Sequence, residues 1–497
     1  MKPNFLHWLF AVLAGIASRE FVKTPFCNDV AIFQGVAFIA DRYYQFPQSV
    51  DISWEAKPIG NRLINYPLLK ATELFVPFNE QVAFAIVAKI LVLLAVFLLA
   101  GYFAYIIKGE YTFWIVFFSF VTCLNFCAMQ AEYYAAGLSL LAIALMVSQN
   151  KYAQVFAGFL IFFIAMIKGI TFFLFIPILC GAYLLDKRSQ NAIVNVLVGF
   201  CSMGVLVIIT QLTIWKNMLP DLLLAPVITG VGRWPVTDTI QIFIIQSFIT
   251  LYYIPVLAVA AMGIVLLLTS KTFDAKERTA FIAMWIVPAA MILVHSENFA
   301  YQFFIYVIPA VVTVVICARK LEALWYRNQT KQLVISSVIP VAIIWMFLAL
   351  MVLNSWNGIM PGAEGNVYRW QKENAAEINR LYDLPNQSSI LYLDAGAAPY
   401  YFMANSTSRY ICPLPLQRST PEWNHRGNYA VEQTYQDALD YDGEFIVGDG
   451  AFGFEDWIGL RYDDRKELRE KLENEYQIVW HDNWVIYKRK HIPNTSS

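Results

Sequence analysis

The sequence predicts a polytopic α-helical membrane protein of about eleven transmembrane helices, followed by a small C-terminal α/β extracytoplasmic domain. Three observations carry that prediction. Of 497 residues, 58% are apolar and only 15% charged, against about 25% charged in a soluble domain. The charges are unevenly spread: residues 354–497 hold 14 Lys+Arg and 21 Asp+Glu, which leaves 38 for the preceding 353 residues. Lys and Arg also concentrate in alternate short loops, as the orientation rule for membrane proteins requires. The chain therefore divides into a membrane body, 1–353, and a soluble domain, 354–497. A net charge of −1 without a basic cluster excludes nucleic acid as a partner and leaves the lipid bilayer.

A helical span needs about 20 apolar residues. Candidate spans are 4–18, 81–107, 112–128, 134–148, 153–167, 170–185, 192–215, 246–268, 280–294, 299–317 and 333–353. The first also reads as a signal peptide, with Lys2, an apolar stretch and small residues from Ala14 to Ser18. One set of short loops holds Lys2, Lys108, Lys151, Lys187, Arg188, Lys271, Lys276, Arg278, Arg319, Lys320, Arg327 and Lys331; the opposite set holds only Lys168, Lys216 and Arg233. The first set is cytoplasmic by this rule. Loop 19–80, the turn around Glu132, the segment 216–245, the turn His295–Asn298 and the C-terminal domain then lie outside, in a multi-pass protein of the plasma or inner membrane.

Loop 19–80 carries Phe33, Val36, Ala37, Ile39 and Ala40 at helical spacing, and Leu63, Ile64, Leu68 and Leu69 around Pro67. Such stretches suit a helix lying in the membrane interface. In the tail, 389–394, 444–447, 477–480 and 484–488 read as strands, and 430–439 and 465–475 as helices. Neither a GxGxxG after a strand nor a P-loop is present. The seven cysteines show no zinc spacing. Cys27 and Cys412 fall on the same predicted side, and the sequence leaves a disulfide between them open.

Asp29, about ten residues after the first span, reads either as a helix N-cap or as a carboxylate placed to accept a hydroxyl proton. Glu132 is the only acid between Glu110 and Asp186. It reads as a helix-start carboxylate favoured by the dipole, or as a second acid that orients a hydroxyl or ligates a divalent metal ion. No other cofactor is implied. Lys57, Arg62 and Lys168 are cations on the external side of a charge-poor body, with no acid near Lys168 in sequence. They suit a lipid phosphate that gains charge as it leaves, and snorkelling is the alternative for each. Asp41 and the polar turn of His295 and Glu297, with Tyr301 on the aromatic stretch that follows, complete the substrate-binding candidates.

This arrangement resembles the GT-C superfamily, membrane glycosyltransferases that use polyprenyl-phosphate sugars and include protein O-mannosyltransferases and the lipid A aminoarabinose transferase. The residues that carry the likeness are Asp29 opening a long external loop, Lys57-Pro58 late in it, Glu132-Tyr133-Tyr134 after the third span, and an outer turn leading into Phe299–Tyr306. It covers roughly residues 1–320 and departs at Ile59 and at Asn298–Gln302. The resemblance implies a GT-C-like body, with Asp29 as general base and Lys57 near the donor phosphate. It implies a hexosyl- or pentosyltransferase working on a polyprenyl-phosphate-linked sugar and a glycan, lipid or protein acceptor. A transporter of a lipid-linked or small polar substrate is the alternative, although paired broken helices in two halves are not seen.

Overall fold

The computed structural model describes residues 22, 28–52, 57–77, 80–107, 129–168, 175–184, 190–219, 263–264, 275–295, 305–313, 315–316, 363–387, 389–393, 398–409, 411, 429–449, 466–482 and 484–490. Its elements run, in order, α1 (Asn28–Tyr43), α2 (Gln48–Ile52), α3 (Ile59–Glu73), α4 (Gln81–Ile107), α5 (Ala131–Val147), α6 (Lys151–Lys168), α7 (Phe175–Leu184), α8 (Gln190–Thr213) and α9 (Ala275–His295). The C-terminal part continues with α10 (Ala363–Tyr382), β1 (Leu391–Leu393), α11 (Ala398–Phe402), α12 (Tyr429–Asp440), β2 (Phe445–Asp449), α13 (Lys466–Glu475), β3 (Tyr476–His481) and β4 (Trp484–Arg489). The predicted spans 4–18, 112–128 and 333–353, nearly all of 246–268, and both Cys27 and Cys412 lie outside the described residues.

The chain forms two compact units. The first comprises Met1–Thr24, Thr72–Ile208 and Arg233–Pro361; the second comprises Pro25–Ala71, Ile209–Gly232 and Gly362–Ser497. The division by packing thus differs from the division by charge density, because most of the external loop belongs with the tail.

Among the described residues, three helices are long and apolar enough to cross a membrane: Ala83–Ile107 and Lys151–Lys168 in the first unit, and Asn191–Thr213, whose last turn belongs to the second. α5 and α6 form a hairpin whose connection is only Ser148, Ser148's neighbour Gln149, and Asn150. Asn150 caps α6, its Oδ1 accepting the Tyr152 N–H at 2.9 Å. α5 is buried along almost its whole length and also packs against α4 and α7. α7 meets α9 through Tyr183 and Phe281, centroids 6.4 Å apart.

α6 and α8 approach closely at two glycines. A Cβ on Gly158 would stand 1.9 Å from the Val196 carbonyl oxygen, and one on Gly199 would stand 1.8 Å from that of Val155. Small residues permit such backbone contact in apolar helix pairs. Beside it the Asn195 amide donates to Gln154 Oε1 at 2.7 Å, and Phe162 meets Phe200 edge-on at 5.0 Å. Gly158→Val should therefore destabilise the detergent-solubilised protein by at least about 1–3 kcal/mol, since the backbone in its way cannot yield cheaply. Gly204→Ala, whose Cβ meets only Phe162 at 3.4 Å, serves as the control and should be near neutral. Equal thermal denaturation midpoints for the two variants would contradict the close packing.

In the second unit the tail builds a four-stranded sheet ordered β1-β2-β4-β3, with β1 and β2 parallel and the other pairs antiparallel. The apolar periodicity of α12 and α13 covers one face: Ala438, Leu468 and Leu472 pack with Leu391, Ile446 and Val485. Trp484 is buried between Tyr401 and Phe402, at centroid distances of 5.4 and 5.0 Å. α1 packs on α11, where Phe38 meets Tyr400 at 5.9 Å. A Cβ on Gly35 would lie 2.4 Å from the Tyr400 nitrogen, so glycine is what lets these backbones approach. α1 is buried on nearly every side from Val30 to Ala40. It is a core helix of this unit and not the interfacial helix its spacing predicted.

Candidate functional site

Asp29 stands in the first turn of α1, where the helix dipole favours a carboxylate. Phe33 follows one turn later, and the Lys57 ammonium sits 5.9 Å from its ring centroid. Lys57-Pro58 leads directly into α3, and Pro58 accepts the Asn61 N–H at 3.0 Å. Proline before a helix removes a donor that would be orphaned there anyway. Lys57 and the beginning of α3 are thus held against the first two turns of α1.

A polar seam runs between these helices. Gln34 Nε2 donates to Asn65 Oδ1 at 2.9 Å, and Asn65 Nδ2 donates to the Asn61 carbonyl at 3.1 Å. All three residues are fully buried, and Arg62, beside Asn61, is 4% exposed. Buried polar groups cost free energy unless hydrogen-bonded, so a seam of this kind fixes the register of α1 on α3. Sequence reasoning singled out Arg62 but missed Gln34, Asn61 and Asn65. The signal was present: Asn61 and Asn65 are one turn apart, and Gln34 interrupts an otherwise apolar helix.

Asp41, further along α1, pairs with Lys70 of α3 at 2.5 Å. The pair is on the surface side, with Lys70 44% exposed, so it is worth little to stability. Asp51 in α2 accepts the Asn217 backbone N–H at 2.9 Å and receives Asn217 Nδ2 at 3.3 Å. The end of α8 is thereby tied to the loop.

In the first unit, Glu132 and Lys168 form an ion pair, with side chains 0% and 6% exposed. Glu132 is the second residue of α5 and Lys168 the last of α6, so each end of the hairpin carries the charge its helix dipole favours. The expectation of Lys168 without a nearby acid is therefore corrected. The hairpin brings together two residues 36 positions apart in sequence. Its ammonium is engaged by a carboxylate. Among the described residues no three His, Cys, Asp or Glu side chains come together to hold a metal. Tyr133 and Tyr134 follow Glu132 as an edge-on pair, 5.8 Å between centroids.

His295 is the last residue of α9, and Glu297 and Tyr301 lie outside the described residues. From the aromatic stretch, Tyr306 stacks on Trp285 at 6.1 Å, whose indole N–H donates to Thr313 Oγ1 at 3.3 Å. Lys89, in α4, is 2% exposed and is a further buried cation of this unit.

No protein-family model matches the chain, and no curated protein matches it. Solved structures do. One is the crystal structure of the Archaeoglobus fulgidus oligosaccharyltransferase in complex with Zn and sulfate, with TM-score 0.42 and 11% identity, covering 97% of this chain and 73% of that one. Another is the archaeal oligosaccharyltransferase AglB from Archaeoglobus fulgidus in complex with an inhibitory peptide and a dolichol-phosphate, with TM-score 0.40 and 10% identity, covering 99% and 76%. At that similarity neither activity nor ligand carries over to this chain.

Proposed function

We propose that the chain is a GT-C-type membrane glycosyltransferase. It would move a sugar, with inversion, from a polyprenyl-phosphate donor to a hydroxyl acceptor on the extracytoplasmic face. The observation that carries the reading is the junction of α1 and α3: Lys57 packs on Phe33, one turn from Asp29, and Arg62 lies in the next turn of α3. An acid and two cations near one helix junction are the groups that such a displacement requires.

The acceptor hydroxyl would give its proton to Asp29 as its oxygen bonds to the anomeric carbon. The bond from that carbon to the phosphate oxygen breaks on the opposite face, through an oxocarbenium-like transition state. Polyprenyl phosphate leaves with the electron pair, its growing charge met by Lys57 and Arg62. A divalent ion is given no step.

Replacing Lys57 or Arg62 with Ala should each weaken donor use by about 1.5–3 kcal/mol, the worth of a hydrogen bond to a charged group. Steady-state kinetics over a range of donor concentrations measures this. Because Arg62 is buried, its variant needs a matched check of thermal stability, whereas half-buried Lys57 tests binding more directly. Wild-type donor dependence in both variants would remove the phosphate assignment.

Transport remains the second reading, and one observation favours it. Lys89 is buried about a third of the way along an apolar helix, where transporters place functional charges. Translocation of a lipid-linked or small polar solute in sealed vesicles, without release of sugar, separates the two.

A further inference from the structure

An exposed aromatic corner stands where α8 ends. Trp215 follows Thr213, the last residue of α8, by two positions. Its indole N–H donates to the Pro47 carbonyl at 2.9 Å. Its ring lies edge-on to Phe46 at 6.4 Å, and Phe46 stacks on Tyr66 at 5.7 Å. Phe46 is nonetheless 58% exposed. Lys70 lies 5.8 Å from the Tyr66 ring centroid; Lys216, next to Trp215 in the chain, and Arg42, four residues before Phe46, are exposed. All these residues belong to the second unit.

We infer that this corner is a membrane anchor, seated at headgroup level on the bilayer surface. α8 has 24 residues, about 36 Å at a rise of about 1.5 Å per residue, enough to cross the ~30 Å hydrocarbon core. Its apolar surface stays uncovered to the very end: Val205, Ile208, Ile209 and Leu212 are 57%, 52%, 52% and 79% exposed. Trp215 follows the last residue of α8 by two positions and holds Phe46 and Tyr66 beside it, so the ring trio falls at the depth where Trp and Tyr collect at membrane–water boundaries. Trp215 supplies an apolar body with its polar edge already satisfied, Phe46 adds a bare ring, and Lys216 and Arg42 suit lipid phosphates. Trp215 Nε1 on Pro47 and Asp51 on Asn217 then transmit the anchorage to α1, α2 and α3. The corner is read from α8 and the rings packed at its end, and it stands whether or not the protein transfers sugar.

The test uses the full chain in lipid nanodiscs containing phosphatidylcholine brominated near the headgroup end of its acyl chains. The Trp215 signal is the difference in emission between wild type and Trp215→Phe. A second variant, Phe46→Trp, adds an indole at the exposed position and gives an independent signal if Trp215→Phe fails to fold. The expected result is at least about twofold quenching of either difference signal by the brominated lipid, as for an indole in the boundary layer. Quenching should be weak when the bromines sit near the chain ends. Emission quenched by aqueous iodide but by neither brominated lipid overturns the proposal. So does a signal that responds to soluble oligosaccharide in detergent and not to brominated lipid, which would assign the corner to a glycan.

Discussion

Asp29→Asn should leave a protein that inserts, folds and binds a polyprenyl-phosphate sugar, yet turns over about 10²–10⁴-fold more slowly. The substitution keeps the size of the side chain and its ability to accept a hydrogen bond, and removes only the proton acceptor. Asp29 lies in the first turn of α1, a position where a carboxylate is worth about 0.3–1 kcal/mol through the helix dipole. A loss of that size is small enough to leave the fold intact, which separates the catalytic reading from the capping one. Single-turnover rates at saturating donor, beside an equilibrium donor-binding measurement, provide the check. A variant that binds donor and turns over normally ends the assignment of Asp29 as base. One that melts much earlier, with activity lost in proportion, makes the carboxylate a structural residue.

The second large effect concerns the buried pair in the hairpin. Glu132→Gln and Lys168→Met should each destabilise the protein by about 3–5 kcal/mol, because each strands one charge in an apolar setting. The double variant should cost clearly less than the sum of the two, since it leaves no charge stranded. Chemical denaturation of all four proteins in one detergent gives the cycle. Additive losses would show that the two charges do not meet. Should Glu132→Gln cost turnover while the double variant restores stability but not activity, the carboxylate also acts on the acceptor.

These two sites show what was legible in the sequence. The charge step at residue 353 and the strand patterns of the tail follow from local composition, and elements β1 to β4 fall where alternation places them. The apolar helices α4, α6 and α8 likewise declare themselves by length. Burial of α1 did not, because its apolar face is completed by α11, more than 350 residues later. Only the close approach at Gly35 records that partnership, and a glycine in a helix reads as neutral without its neighbour. The Glu132–Lys168 pair was hidden for the same reason: both residues were singled out, but only a tight hairpin turns two span-end charges into one neutral pair. Gln34, Asn61 and Asn65 were visible as polar interruptions, yet nothing local says that they face one another.

Purified protein in nanodiscs, supplied with a panel of radiolabelled polyprenyl-phosphate sugars and a hydroxyl acceptor, gives the most direct measurement. The expected result is time-dependent release of polyprenyl phosphate from one donor, matched by label on the acceptor with inverted anomeric configuration, and abolished in Asp29→Asn. Failure to consume any donor of the panel by protein shown to bind one, or label crossing sealed vesicles while still attached to its lipid, would contradict glycosyl transfer.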